Sequence, residues 1–321
     1  MKVVAVVVAY NRRDLLLQAL DGLAAQTRPV DRIVVVDNAS TDGSGAAAKA
    51  HPAQPEVLTL RRNTGGAGGF AAGLAHAALN LEAGAVWLMD DDTVPQPTAL
   101  EELLRAWEAC PTHPAAVASR VVWTDGRDHP MNTPRNRLFA PLPMRVRAAA
   151  AGARPIRTAS FVSLLVDADL AVLTGLPKAD YFIWNDDFDF TARLLRHREG
   201  LLVPASVAVH HTTSFAGALD EPGDRFFYEV RNKVWTFTRS HAFGPIDLLA
   251  YGAFTLLGWV RLLVRSEHRL PLVRGLAFGL FDGLRRSPRP TERVLAGLGP
   301  VSAEVAAACG RARAVARRRA A

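Results

Sequence analysis

Val86-Trp87-Leu88-Met89-Asp90-Asp91-Asp92 is a run of four large apolar residues followed at once by three carboxylates. A short apolar run without alternation is the pattern of a strand buried on both faces, the habit of parallel sheets. Acids that follow such a strand directly sit at its carboxyl end, where open α/β sheets bind their ligands.

The pattern repeats upstream. Residues 3–9 are a β-branched run ending in Tyr10-Asn11-Arg12, and 33–36 a second strand ending in Asp37-Asn38. Residues 57–60 are a third, followed by Asn63. Helical spacing separates them: Leu16, Ala19, Leu20 and Leu23 lie on one face of a helix over 14–26, and 46–50, 70–83 and 97–109 read as further helices. Alternation of this kind implies an α/β fold with a mostly parallel sheet covered by helices on both faces. Residues 124–158, rich in Pro, Arg and Asn, read as a long loop. Strands at 161–166 and 201–211 and helices near 190 and over 225–239 complete a unit of residues 1–240.

Past Pro245 the chain changes character. Residues 248–260 carry no charge, a run of 13 that falls short of the roughly 20 residues of a membrane span. An in-plane amphipathic hairpin or a core helix pair fits better, so 241–321 is expected to form a helical, basic segment with a solvated Arg-rich end.

Composition narrows the function classes. The 321 residues are 49% hydrophobic and 21% charged, which is globular. Two distant cysteines, Cys110 and Cys309, give neither a metal spacing nor a disulfide framework. The first apolar run is too short for a signal-peptide core, so the N-terminal domain is expected in the cytosol. A net charge of +7 admits anionic lipid or phosphate partners. The basic residues lack interleaved aromatics, which argues against nucleic acid.

Five constellations carry chemistry. Asp90 and Asp92, two residues apart at a strand end, can share a divalent cation, although an acidic turn capping the next helix would use the same residues. Asp37 can accept from a base N–H or a ribose hydroxyl, while Asp42-Gly43 reads as an ordinary turn. Asn63-Thr64-Gly65-Gly66-Ala67-Gly68-Gly69 lets a ligand approach backbone closely. Its match to a dinucleotide fingerprint fails on position, since the first strand ends in Ala9-Tyr10-Asn11. Asp186 and Asp187, among Trp184, Phe188 and Phe190, can have raised pKa values suited to a general base, or cap the helix that follows. His210 or His211, on opposite strand faces, can supply a third metal ligand.

Taken together, Val-Ala-Tyr-Asn-Arg, Val-Val-Val-Asp-Asn-Ala-Ser-Thr-Asp-Gly, the glycine stretch, the Asp triplet and the late Asn-Asp-Asp-Phe-Asp resemble family 2 glycosyltransferases of the GT-A fold, over about residues 3–233. The nearest resemblance is to bacterial galactofuranosyl- and rhamnosyltransferases, which Arg231-Asn232 also matches. The resemblance implies Mn²⁺ or Mg²⁺ on Asp90, Asp92 and one of His210 and His211. It implies a nucleotide against Tyr10, Arg12, Asp37 and Asn38, with Asn63, Gly66, Asp90 and Asp91 completing that pocket. Asp187 would be the base that drives inversion, beside Asp186. The donor would be UDP- or dTDP-linked, and the acceptor a polyprenyl-linked glycan at the inner face of the membrane, with galactofuranose favoured over rhamnose. Asn185 separates Trp184 from the acids, which departs from the galactofuranosyl pattern. Two other classes compete: a nucleotide-dependent oxidoreductase, which lacks a glycine turn after its first strand, and a catalytically silent glycan- or membrane-binding protein, which has no need of the intact acids.

Overall fold

A computed structural model describes residues 1–213, 215 and 222–320, with the side chains of 319 and 320 excepted. The N-terminal half follows the alternation of the sequence: β1 (Val3–Ala9), α1 (Arg13–Ala24), β2 (Arg32–Asp37), α2 (Ser44–Ala50), β3 (Glu56–Thr59), α3 (Gly65–Leu79), β4 (Ala85–Asp90), β5 (Thr93–Pro95) and α4 (Ala99–Ala109). Next come β6 (Ala116–Val122), β7 (Arg135–Asn136), α5 (Leu142–Ala150), β8 (Arg154–Thr158), β9 (Leu164–Asp167), α6 (Ala168–Thr174), α7 (Asp186–Leu194) and β10 (Gly200–His210). The helices α8 (Phe226–Arg239), α9 (Pro245–Arg265), α10 (Arg269–Arg285), α11 (Thr291–Val294) and α12 (Pro300–Ala320) follow.

The sheet runs β3-β2-β1-β4-β9-β6-β10-β8-β7, with β5 paired to β10. The first four strands are parallel. The other half is mixed rather than mostly parallel, because β9 runs antiparallel between β4 and β6. The strand order reverses between β1 and β4, where Val8 lies beside Asp90, so the crevice opens at the acid triplet. Alternate residues feed two cores. Val4, Val6 and Val8 face α3, α6 and α12, while Val3, Ala5 and Val7 face α1 and α4.

The glycine-rich stretch is not a loop. It forms the first turns of α3, and Gly65 and Gly69 are there for packing. A Cβ on Gly69 would lie 2.5 Å from Val8, so only glycine lets α3 sit this close to β1. Gly65 has φ +69°, and a Cβ there would lie 1.9 Å from the Phe182 carbonyl. Residues 124–158 also differ from a plain loop, since β7, α5 and β8 lie within them. Arg147 of α5 pairs with Glu199, and Ala148 is buried, which gives that segment a face to dock.

The C-terminal segment has two parts. Val301, Val305 and Ala308 of α12 join the same core as α3, and Arg313 pairs with Glu292 while Arg317 and Arg318 are exposed. The helices α9 and α10 form a hairpin, and α10 packs along α8. By length and composition α9 is long and apolar enough to cross a membrane.

Candidate active site

The carboxyl ends of β1 and β4, the 182–185 segment, the start of α7 and the end of β10 enclose one cleft of about 920 Å³. Its lining joins Asp90, Asp91, Asp92 and His210 on one side with Asp186, Asp187, Glu229 and Lys233 on the other.

Asp90 ends β4, and the tight β4–β5 turn presents Asp92 two residues later. One ligand atom each of Asp90, Asp92 and His210 lies within 4.8 Å of the other two. His210 ends β10, and its Nε2 is 3.0 Å from Asp92 Oδ1. Its Nδ1 is 2.8 Å from Asn132 Oδ1, a partner that fixes the ring and leaves Nε2 facing the carboxylates. Two carboxylates and an imidazole held by an outer amide suit Mn²⁺ or Mg²⁺. His211 has a different place: its backbone N–H donates to the Asp92 carbonyl at 2.8 Å, and its side chain lies outside the triad. The half-exposed Arg12 directs Nη1 to Asp91 Oδ1 at 3.3 Å and to Asp92 Oδ2, so a cation already lies against these acids.

Burial, then the charges of Asp92 and Asp91, push Asp90 well above the usual carboxylate range. Burial also pushes Asp92 up, but the hydrogen bond and charge of His210, with Arg12, outweigh it and hold Asp92 below that range. Asp91, raised to about 6 by burial, serves the frame: its Oδ2 accepts from the Tyr10 N–H at 2.9 Å and ties the end of β1 to β4.

The remaining nucleotide residues divide. Tyr10, Arg12, Asn38, Asn63 and Gly66 line the cleft. Asp37 does not; its Oδ1 accepts from the Ser40 N–H, and its other oxygen lies against Gly45. It is buried behind the wall and holds the turn, so a direct contact to base or ribose does not fit its placement. Asn38 lines the wall but is spent on the frame, accepting from the Thr64 N–H and donating to the Gly65 carbonyl.

Asp186 and Asp187 open α7. Burial, then Asp187, raises Asp186 well above its ordinary value. Burial raises Asp187 to about 6, against its hydrogen bond from the Phe188 N–H and the charge of Lys233. Asn185 makes no cap bond; its Nδ2 donates to Glu229 Oε2 at 2.6 Å. The segment before the acids is strained, with Phe182, Trp184 and Asn185 at φ 65°, 65° and 64°. Asn232 holds it: its Nδ2 lies 3.0, 2.9 and 2.8 Å from the carbonyls of Tyr181, Ile183 and Trp184. Arg231 adds Nη2 bonds to the Asp180 and Tyr181 carbonyls. The Arg-Asn pair is therefore the brace of the acid loop. Asn232→Ala is expected to cost about 1–3 kcal/mol by orphaning buried carbonyls, with a lower Tm and slower turnover. An unchanged melting curve and rate would remove that role.

Sequence reading missed Asn132, Glu229 and Lys233. Glu229 and Lys233 are four apart on α8 and thus share a face, a signal that was present. Asn132 had none, lying in an irregular stretch.

Acids at the carboxyl ends of a β3-β2-β1-β4 sheet, facing a second acid pair across one cleft, define a transferase of the GT-A fold. The chain belongs to glycosyl transferase family 2, whose model matches residues 4–169, and it is a glycosyltransferase. Asp186, Asp187 and His210 lie beyond the matched stretch. The galactofuranosyltransferase GlfT1 of Mycobacterium tuberculosis is 32% identical over 290 residues, covering 83% of this chain and 91% of that one. The protein of the same name in Mycolicibacterium smegmatis is 32% identical over 200 residues, 60% of this chain, and the match spans 65% of that relative's length. Among solved structures, S. aureus TarS 1-349 in complex with UDP superposes with TM-score 0.62 at 16% identity, over 100% of this chain and 92% of that one. The mannosyltransferase PcManGT from Pyrobaculum calidifontis, in complex with GDP-Man and Mn²⁺, gives 0.54 at 21%, over 97% and 87%.

Proposed function

We propose that this glycosyltransferase moves galactofuranose from a UDP-linked donor to a polyprenyl-linked glycan at the inner face of the membrane, with inversion. Residues 1–240 are the transferase unit and 241–321 the membrane-associating appendage. The observation that carries the reaction is one cleft holding two acid clusters of different character. Asp90 and Asp92 stand with His210 as a cation site, and Asp187 stands opposite with a raised pKa. The relatives named galactofuranosyltransferase support the sugar, and the fold neighbour bound to UDP supports the base.

Asp90, Asp92 and His210 would hold Mn²⁺ or Mg²⁺, which when bound offsets the charge that develops on the departing diphosphate. Tyr10, Arg12, Asn63 and Gly66 border the nucleotide. Asp187 accepts the proton of the acceptor hydroxyl, whose oxygen bonds to the anomeric carbon from the face opposite the nucleoside diphosphate. The C–O bond to that diphosphate breaks as the new one forms, which inverts the centre. The pKa near 6 leaves Asp187 ionised at neutral pH while basic enough to accept.

The test is transfer to a polyprenyl-linked glycan from UDP-galactofuranose and from dTDP-rhamnose, each with Mn²⁺. Galactofuranose incorporation is expected. Rhamnose incorporation alone would overturn the donor, and no transfer with full binding of a glycan or membrane would favour the silent protein.

A further inference from the structure

The hairpin of α9 and α10 carries an apolar surface that none of the described residues covers. Leu249 is 77% exposed, and Leu256, Leu257, Val260 and Val264 of α9 are exposed with it. Val273, Phe278 and Phe281 continue the surface on α10. An exposed apolar area of this extent marks a contact with another phase or molecule. It is ringed by exposed cations: Arg261 and Arg265 near the end of α9, Arg269 and Arg274 on α10, then Arg285 and Arg286.

The opposite stripe of α9 is bolted to the transferase. Asp247 accepts from Arg157 Nε at 2.8 Å, Tyr251 packs with Phe188, and Trp259 packs with Phe226. These anchors run along the helix on one side, so lipid cannot surround it. Its partners belong to β8, α7 and α8, so a spanning α9 would carry sheet strands and the charged cleft into hydrocarbon; against a bilayer this helix lies in the surface and not across it. The arginines favour an anionic surface over a second copy of this chain, whose hairpin would bring the same charges together.

The site is part of this face. Tyr251, Phe254 and Thr255 of α9 line the catalytic cleft, and Phe254 is also 57% exposed. Trp259 Nε1 lies 3.3 Å from Glu229 Oε1, whose other oxygen accepts from Asn185, next to Asp186. We propose that the α9–α10 hairpin lies in the plane of an anionic bilayer surface, and that the cleft opens along α9 so that a lipid-linked acceptor enters from the membrane side past Phe254. The acceptor route rests on the transferase reading above; the bilayer contact does not.

Flotation of the full chain with vesicles of phosphatidylcholine, with and without phosphatidylglycerol, tests this. The protein is expected to float with the anionic vesicles and to be released by alkaline carbonate. Each arginine at an anionic surface strengthens association about fivefold. Arg261→Glu with Arg265→Glu is therefore expected to weaken vesicle binding by at least about 25-fold. Leu249→Asp with Leu257→Asp is expected to abolish it, and UDP binding measured by calorimetry should be kept in both pairs, which shows that they fold. A wild-type chain that stays unbound, a leucine pair that floats unchanged, or retention after carbonate would overturn the in-plane surface. So would a dimer in sedimentation velocity that the leucine pair dissolves without any vesicle binding. A chain that floats but binds no nucleotide would sink the transferase reading and leave the surface standing.

Discussion

Asp92→Ala is expected to abolish Mn²⁺-dependent transfer, with kcat/KM falling by about 10³-fold, which corresponds to about 4 kcal/mol of transition-state stabilisation. Asp92 meets both other members of the proposed cation site: it shares a 4.8 Å cluster with Asp90 and bonds His210 through Oδ1. Removing it takes away one of two carboxylates and one of the two side-chain partners of His210, leaving Asn132. Against its burial, the hydrogen bond and charge of His210, with Arg12, hold the Asp92 carboxyl below the usual carboxylate range, which favours the ionised form that a cation requires. Initial rates against Mn²⁺ concentration read the effect. Asp92→Asn, which keeps the shape and loses the charge, is expected to share the loss. Retained Mn²⁺-dependent rates in either variant would remove Asp92 from the cation site.

Asp187→Asn is expected to lower kcat by roughly 10³-fold while leaving UDP affinity close to that of the wild type. A side chain that acts on the acceptor proton contributes to the step and not to the nucleotide. The pH profile gives a second reading. Only the carboxylate accepts a proton, so the wild-type rate should rise through pH 6 and fall about tenfold per unit below it. Stability moves the other way. The pKa of Asp187 rises from 3.8 to about 6 on folding, so its contribution is fully present below 3.8 and lost as pH rises through 6. The Asn variant escapes that loss, and its Tm relative to the wild type should be higher at pH 8 than at pH 4. A variant that lost UDP affinity and kept turnover would overturn the assignment to Asp187.

The part of the fold that the sequence made legible is the part where strands are buried on both faces. Val3–Ala9 and Ala85–Asp90 show unbroken apolar runs, and their polar ends mark the crevice directly. The mixed half was less legible, because an antiparallel strand such as Leu164–Asp167 buried between two others has the same composition as a parallel one. Strand parity left His210 and His211 open; their difference comes from Asn132 and Asp92, which approach from distant segments. Asp37 shows the same limit: it stands at a strand end, but its carboxylate turns back onto the Ser40 N–H. Gly66 lines the cleft, whereas Gly69 answers to the close approach of α3 to Val8. Spacing cannot separate these two demands on glycine, since both ask for a missing Cβ.

The α9–α10 hairpin shows the same limit. Its uncharged run of residues 248–260 is plain in the sequence. That one stripe is fastened through Asp247, Tyr251 and Trp259 depends on partners in β8, α7 and α8.

The decisive measurement is calorimetric titration of the purified chain with UDP in Mn²⁺, repeated in EDTA and with Asp92→Ala. UDP is expected to bind the wild type in Mn²⁺ more tightly than dTDP does, and that binding should vanish in EDTA and in the variant. UDP binding of equal strength in all three conditions would contradict a cation held by Asp90, Asp92 and His210.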